Sequence, residues 1–199
     1  MNICVFGDSI TWGAHDFEKG GWVERLKSYC LENHNGVNVY NLGIPGNTTE
    51  DLLKRFENEA KTREPKVVIF AIGINDSLYM QTKGDYNVSL DKFKDNLSKL
   101  IEIARTITNT IVFIGLIRVD ESKTTPRPRG IPGRYYKNES INRYDSVIKE
   151  FCERNNFDHI DTGEVINIED LEDGLHPNSR GHEKMFKVIK SAIEKFLSK

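Results

Sequence analysis

Lys66-Val67-Val68-Ile69-Phe70-Ala71-Ile72, running straight into Gly73-Ile74-Asn75-Asp76, is a short apolar run closed by a turn. After its leading lysine it has no polar alternation and is rich in Val, Ile and Phe, so it reads as a strand covered on both faces. Runs of the same kind lie at 2–7, 37–42, 110–116 and 157–161, and with 66–72 they make five candidate strands. Longer amphipathic stretches fall between and after them, and helices are predicted over 21–32, 49–62, 90–106, 140–155 and 179–197. In the last of these Met185, Val188, Ile189, Ala192, Ile193, Phe196 and Leu197 recur at helical spacing, which makes a core-facing stripe. Helix starts are marked by Thr48 with Asp51, by Ser89, and by Asn178 or Ser179 after Pro177. Strands alternating with helices point to an α/β chain: a three-layer αβα sandwich on a five-stranded parallel sheet of flavodoxin-like order.

The 199 residues fit one domain over 1–199, and 38% hydrophobic residues against 29% charged supply a core. A mean hydropathy of -0.52 and the lack of any run near 18 apolar residues argue against a membrane span. Net charge of -2 gives no global reason to bind nucleic acid or an anionic membrane. The first residues carry no positive charge and reach Asp8 before a signal-like stretch can form, and Cys4, Cys30 and Cys152 are scattered and odd in number. A cytoplasmic chain without a disulfide framework is expected.

In an open α/β sheet, active groups gather beyond the carboxyl ends of the strands. Ser9 follows the first strand, Gly43 and Gly46 the second, Asn75 and Asp76 the third, and Asp173 and His176 the fifth, so all the candidate chemistry falls on one edge. Gly7-Asp8-Ser9-Ile10-Thr11 by itself is weak, because a serine after a strand is more often a turn or cap residue. A serine hydroxyl needs a neighbouring base to act as a nucleophile, and an orienting carboxylate usually stands behind that base. Asp173-Gly174-Leu175-His176-Pro177 offers both: a three-residue spacing lets the carboxylate reach Nδ1 while Nε2 points away. The other histidines have plainer roles. His34, His159 and His182 suit surface, capping or core positions, and His15, in the loop 13–20, is a possible substrate contact.

Donors for a developing negative oxygen could come from Asn41-Leu42-Gly43-Ile44-Pro45-Gly46-Asn47-Thr48-Thr49, a glycine-punctuated turn into a helix, and from the Asn75 amide. Plainer readings stand beside these: Gly43 and Gly46 as positive-φ positions, and Asn75 as a turn-closing residue. Rival site types fit less well. Gly-x-Ser-x-Gly after a central strand is missing, as are P-loop and dinucleotide glycine patterns, and the histidines lack metal-ligand spacing.

Gly-Asp-Ser at 7–9, Gly46, Gly-x-Asn-Asp at 73–76 and Asp-x-x-His-Pro at 173–177, in that order, resemble the SGNH hydrolases, also called GDSL-like lipases or acylhydrolases. The resemblance runs from Gly7 to His176. It implies Ser9 as nucleophile, His176 as base and Asp173 as orienting acid. The implied oxyanion hole is the Ser9 N–H, the Gly46 N–H and the Asn75 side chain, with Asp8 and Asp76 bracing the loops. It calls for no cofactor and no metal. The implied activity is hydrolysis of a small ester or an acetylated carbohydrate through an acyl-enzyme. Thioesters, lysophospholipids and acyl transfer remain open alternatives.

The stretch 123–137 holds five basic residues and no acidic ones. It follows the fourth strand and should overhang the edge that carries Ser9. Arg127, Arg129 and Arg134 are possible substrate contacts there, on a proline-stiffened solvated loop or lid. A binding module that uses these arginines for nucleic acid is the more distant reading.

Overall fold

The computed structural model describes residues 1–80, 85–127 and 133–197. Five parallel strands form the sheet: β1 (Asn2–Gly7), β2 (Asn38–Gly43), β3 (Val67–Ala71), β5 (Thr110–Ile114) and β7 (Asp158–Ile160), in the order β2-β1-β3-β5-β7. This is the flavodoxin-like order expected from the alternation of elements. Gly7 pairs with both Gly43 and Ala71, so three strands end level and the residues after them emerge side by side.

The helices are α1 (Ser9–Trp12), α2 (Trp22–Asn33), α3 (Thr49–Arg63), α4 (Leu90–Arg105), α5 (Glu121–Thr124), α6 (Asn138–Asn155) and α7 (Ser179–Leu197). They cover both sides of the sheet, with α2 beside α7 and α3 beside α4. On one face Phe6, Phe70 and Phe113 of three neighbouring strands meet Phe56 of α3 and Phe151 of α6 at 4.8–6.3 Å between rings. No described helix is long and apolar enough to cross a membrane.

Predicted boundaries hold to within about two residues, and the departures have local causes. Helix α6 starts at Asn138, ahead of the expected Ser140, because Glu121 accepts the Asn138 N–H at 2.8 Å and does the work of a cap. Helix α1 and the short antiparallel pair β4 (Tyr79–Met80) and β6 (Arg134–Tyr135) have no periodic signal of their own. The pair forms because Tyr79 and Tyr135 stack at 5.2 Å, a contact between distant parts of the chain.

Both ends of the chain meet in a buried ion pair. Asp16 accepts the N–H groups of Glu18, Lys19 and Gly21. It also takes the Arg25 guanidinium, which reaches on to Ser179 and Glu183 of α7. Burial pushes the Asp16 carboxyl up, but the Arg25 hydrogen bond and the backbone donors outweigh it and bring it to about 2. Arg25→Met is expected to destabilise the fold by about 3–5 kcal/mol in denaturant unfolding at neutral pH, because it strands a buried carboxylate. With the folded pKa depressed, the stability that Asp16 contributes is present above pH 4 and lost as pH falls toward 2.

Candidate active site

Ser9 opens α1. Asp8 caps that helix by accepting the Ile10 N–H at 2.9 Å, and the Ser9 N–H, at the first helical position, has no partner within the helix. The hairpin approach of β2 and α1 demands glycine at 43: a Cβ there would lie 2.3 Å from the Trp12 nitrogen. Gly43 therefore serves close approach and not positive φ, whereas Gly46 has φ of 82° and open space where a side chain would stand. The Gly46 N–H has no hydrogen-bond partner among the described residues.

Ser9 Oγ lies 2.8 Å from His176 Nε2, across 167 residues of sequence. His176 Nδ1 faces the Asp173 carboxylate at 3.0 and 3.2 Å. Asp173 Oδ1 also accepts the backbone N–H groups of Leu175 and His176 at 3.1 and 2.9 Å, so a single turn orients carboxylate and ring together. Burial pushes the Asp173 carboxyl up, but hydrogen bonds from the His176 ring and backbone outweigh this and hold it well below the usual carboxylate range. It is ionised whenever the imidazole works. Geometrically a hydroxyl, an imidazole and a carboxylate stand in line, an arrangement through which a hydroxyl could pass its proton to the ring.

Asn75 reaches the same edge from the end of β3. Its amide Nδ2 donates to the Asn47 carbonyl at 3.0 Å, and its Oδ1 accepts the Tyr136 hydroxyl at 2.9 Å. Because that oxygen is held by a donor, the amide NH₂ is fixed facing the Gly46–Asn47 loop. Asp76 accepts the Thr49 backbone N–H at 3.0 Å and its hydroxyl, which fastens the start of α3 to the end of β3. Burial pushes both Asp8 and Asp76 up to about 7, against the hydrogen bonds that pull them down. Arg55 of α3 ties the loop from behind, donating to the carbonyls of Gly7 and Leu42 and to Asn47 Oδ1.

The remaining candidates divide. His15, at a φ of 65°, stacks on His176 with ring centroids 5.1 Å apart, and its Nε2 lies 3.6 Å from Asp173 Oδ2. Arg127 turns inward and donates to that same oxygen at 2.8 Å. Arg134 sits half-buried in β6, while Arg129 lies outside the described residues. His182 is a core residue: its ring faces the Trp22 N–H and the Ala14 carbonyl, and burial pushes it down to about 4. His15, Asp173 and His176 present possible metal-ligand atoms within 4.8 Å of one another. Arg127 already brings a cation to the shared carboxylate oxygen, which opposes an ion there.

Tyr136 and Arg55 escaped the sequence reading. Arg55 had a faint signal, three residues beyond the buried Leu52 on the inner side of α3. Tyr136 had none, since its place depends on the pairing of β4 with β6.

A cavity of about 690 Å³ opens beside the histidine, lined by His15, Phe17, Thr125, Pro126 and Arg127 among others. Phe17 stands at its mouth, 89% exposed. A cavity of similar size lies at the opposite sheet edge, lined by Met1, Lys66, Thr110 and Phe196 among others.

A model described as the GDSL-like Lipase/Acylhydrolase family matches residues 5–184. An uncharacterized lipoprotein of Bacillus subtilis (strain 168) is 35% identical over 52% of this chain, and the match spans only 43% of that protein's length. An acetylxylan esterase of Geobacillus stearothermophilus is 27% identical over 74% of this chain and 68% of its own. The solved structure of a lipase/acylhydrolase from Enterococcus faecalis aligns with a TM-score of 0.79 at 27% identity, covering 99% of this chain and 97% of that one. With a family match that runs nearly from end to end and the same fold in a solved relative, the chain belongs to the GDSL-like lipase/acylhydrolase family, the SGNH esterases.

Proposed function

We propose that this protein is a serine esterase that cleaves small carboxylic esters, acetylated carbohydrates foremost, through an acyl-enzyme on Ser9. The observation that supports it most is the 2.8 Å contact between Ser9 Oγ and His176 Nε2, backed by Asp173 on Nδ1. In this reading Ser9 attacks the acyl carbonyl and His176 takes its proton. The carbonyl oxygen, now negative, receives the Ser9 and Gly46 N–H groups and the Asn75 amide. The tetrahedral intermediate collapses, His176 returns the proton to the leaving alkoxide, and the alcohol departs. Water then attacks the acyl-enzyme by the same route.

The cavity of about 690 Å³ borders the histidine side, where the leaving alcohol gains its proton. Ser122, Lys123, Thr125 and Glu172 in its mixed lining offer hydrogen-bond partners to a hydroxyl-rich alcohol, and an acetylxylan esterase stands among the relatives. The inward turn of Arg127 takes it away from a phosphate backbone, which weakens the nucleic-acid reading. Three buried free thiols, Cys4, Cys30 and Cys152, fit a chain at work in the reducing cytoplasm.

A fluorophosphonate probe tests the assignment. Labelling should map by mass spectrometry to Ser9 and be slowed by excess nitrophenyl acetate present as a competing substrate; a label on another residue, or none, would overturn it. Tyr136→Phe should lower kcat by about ten-fold with KM little changed, because Asn75 then loses the donor that fixes its amide. Steady-state kinetics would read this split, and an unaltered kcat would remove Tyr136 from the oxyanion machinery.

A further inference from the structure

Arg127 belongs to a stretch that reads in sequence as an outward basic loop, yet its guanidinium is packed against the Asp173 carboxylate, with the two side chains only 17% and 12% exposed. Asp173 Oδ2 therefore has three suitors: Arg127 Nη2 at 2.8 Å, His176 Nδ1 at 3.0 Å and His15 Nε2 at 3.6 Å. Its Oδ1 is occupied by two backbone N–H groups. A carboxylate offers about four acceptor sites, so the group is close to fully used. Arginine stays charged at any working pH, so a permanent cation stands one carboxylate away from the imidazole.

That placement has two physical effects. The hydrogen bond from Arg127 Nη2 holds Oδ2 and resists rotation of the carboxylate away from Nδ1. Its charge also draws on the same anion that would stabilise a protonated ring. Among the described residues the titratable groups near His176 include His15, stacked on one face of the ring, His182 on α7 next to the Asp16–Arg25 pair, and Glu172 and Lys123 beside the same turn. Arg127 is itself held: its backbone N–H donates to the Arg134 carbonyl at 2.8 Å, and Tyr136, two residues beyond Arg134, donates its hydroxyl to Asn75.

We infer that Arg127 is a positioning residue of this site: by sharing Asp173 with His176 it locks the carboxylate and tempers the base, so that the proton taken from Ser9 is handed on to the leaving group. The inference rests on the triad reading given above. It is tested by kcat/KM against pH for the wild type, Arg127→Met, Arg127→Gln and Arg127→Lys on nitrophenyl acetate, with His176→Ala as a control.

Arg127→Met and Arg127→Gln should lower kcat by about ten-fold, with KM within about two-fold. Both should move the acid limb of the profile up by about one pH unit, because the ring then keeps its proton at higher pH. Arg127→Lys keeps a charge without the fork, so its limb should stay in place while part of the kcat loss remains. A neutral variant that folds, by circular dichroism, and whose acid limb overlays the wild type would overturn the role of Arg127. If His176→Ala keeps wild-type activity, the triad reading itself fails, whatever the arginine variants do. An inactive His176→Ala beside an unshifted Arg127→Gln sinks the arginine alone.

Discussion

Ser9→Ala is expected to lower kcat on nitrophenyl acetate by a factor of about 10⁵, with KM within about two-fold of the wild type. The hydroxyl oxygen stands against His176 Nε2 at the opening of α1, where the Ser9 N–H has no partner within the helix. Deleting it leaves the oxyanion donors and the substrate cavity standing, so a weak residual turnover by water should persist. The fold should be little affected, since α1 is held by Asp8 and by the close approach to Gly43, not by the Ser9 side chain. Matching far-ultraviolet dichroism would establish that. A variant that keeps more than about a tenth of the wild-type rate would remove Ser9 as nucleophile.

Asp173→Asn should cost about 10⁴ in kcat, by a different route. An amide can still accept the Leu175 and His176 backbone N–H groups through its oxygen, so the turn should survive. Its NH₂, however, would face Nδ1 and favour the ring tautomer that carries its proton on Nε2, where the serine proton must go. The wild-type carboxyl is held below its ordinary range, so its contribution to stability is present above pH 4 and lost only as pH falls below that. The variant should lose this acid-side dependence, which unfolding midpoints measured between pH 3 and pH 7 would reveal. A kcat within ten-fold of the wild type would show that the carboxylate does not orient the ring.

How legible was all this beforehand? The five sheet strands and five long helices stood out because each buries a continuous apolar run or stripe, and burial is written in composition and period. The ends of β1, β2 and β3 were readable for the same reason: Gly7, Gly43 and Gly73 interrupt those runs. What escaped was structure made by long-range partners. Tyr136 looks like any tyrosine until β4 and β6 pair, and Arg127 looks like a solvated charge until its loop folds back on Asp173. Arg25 looks like a surface residue of an amphipathic helix, although Asp16 and α7 enclose it. Local pattern carries the scaffold, whereas ion pairs and hydrogen bonds between distant segments carry the tuning of the site.

The 167-residue separation of Ser9 and His176 bears on how the protein comes into being. A ribosome makes the serine long before the histidine, and α7, which packs beside α2 on one side of the sheet, follows later still. On the proposed triad, an emerging chain would carry the Ser9 hydroxyl as an inert alcohol until His176 joins it, unable to attack esters it meets or to be trapped by electrophiles that need an activated serine. Chemical competence arrives together with the closing of the fold, so the recovery of probe reactivity during refolding should keep time with the slowest global phase and not with early helix formation.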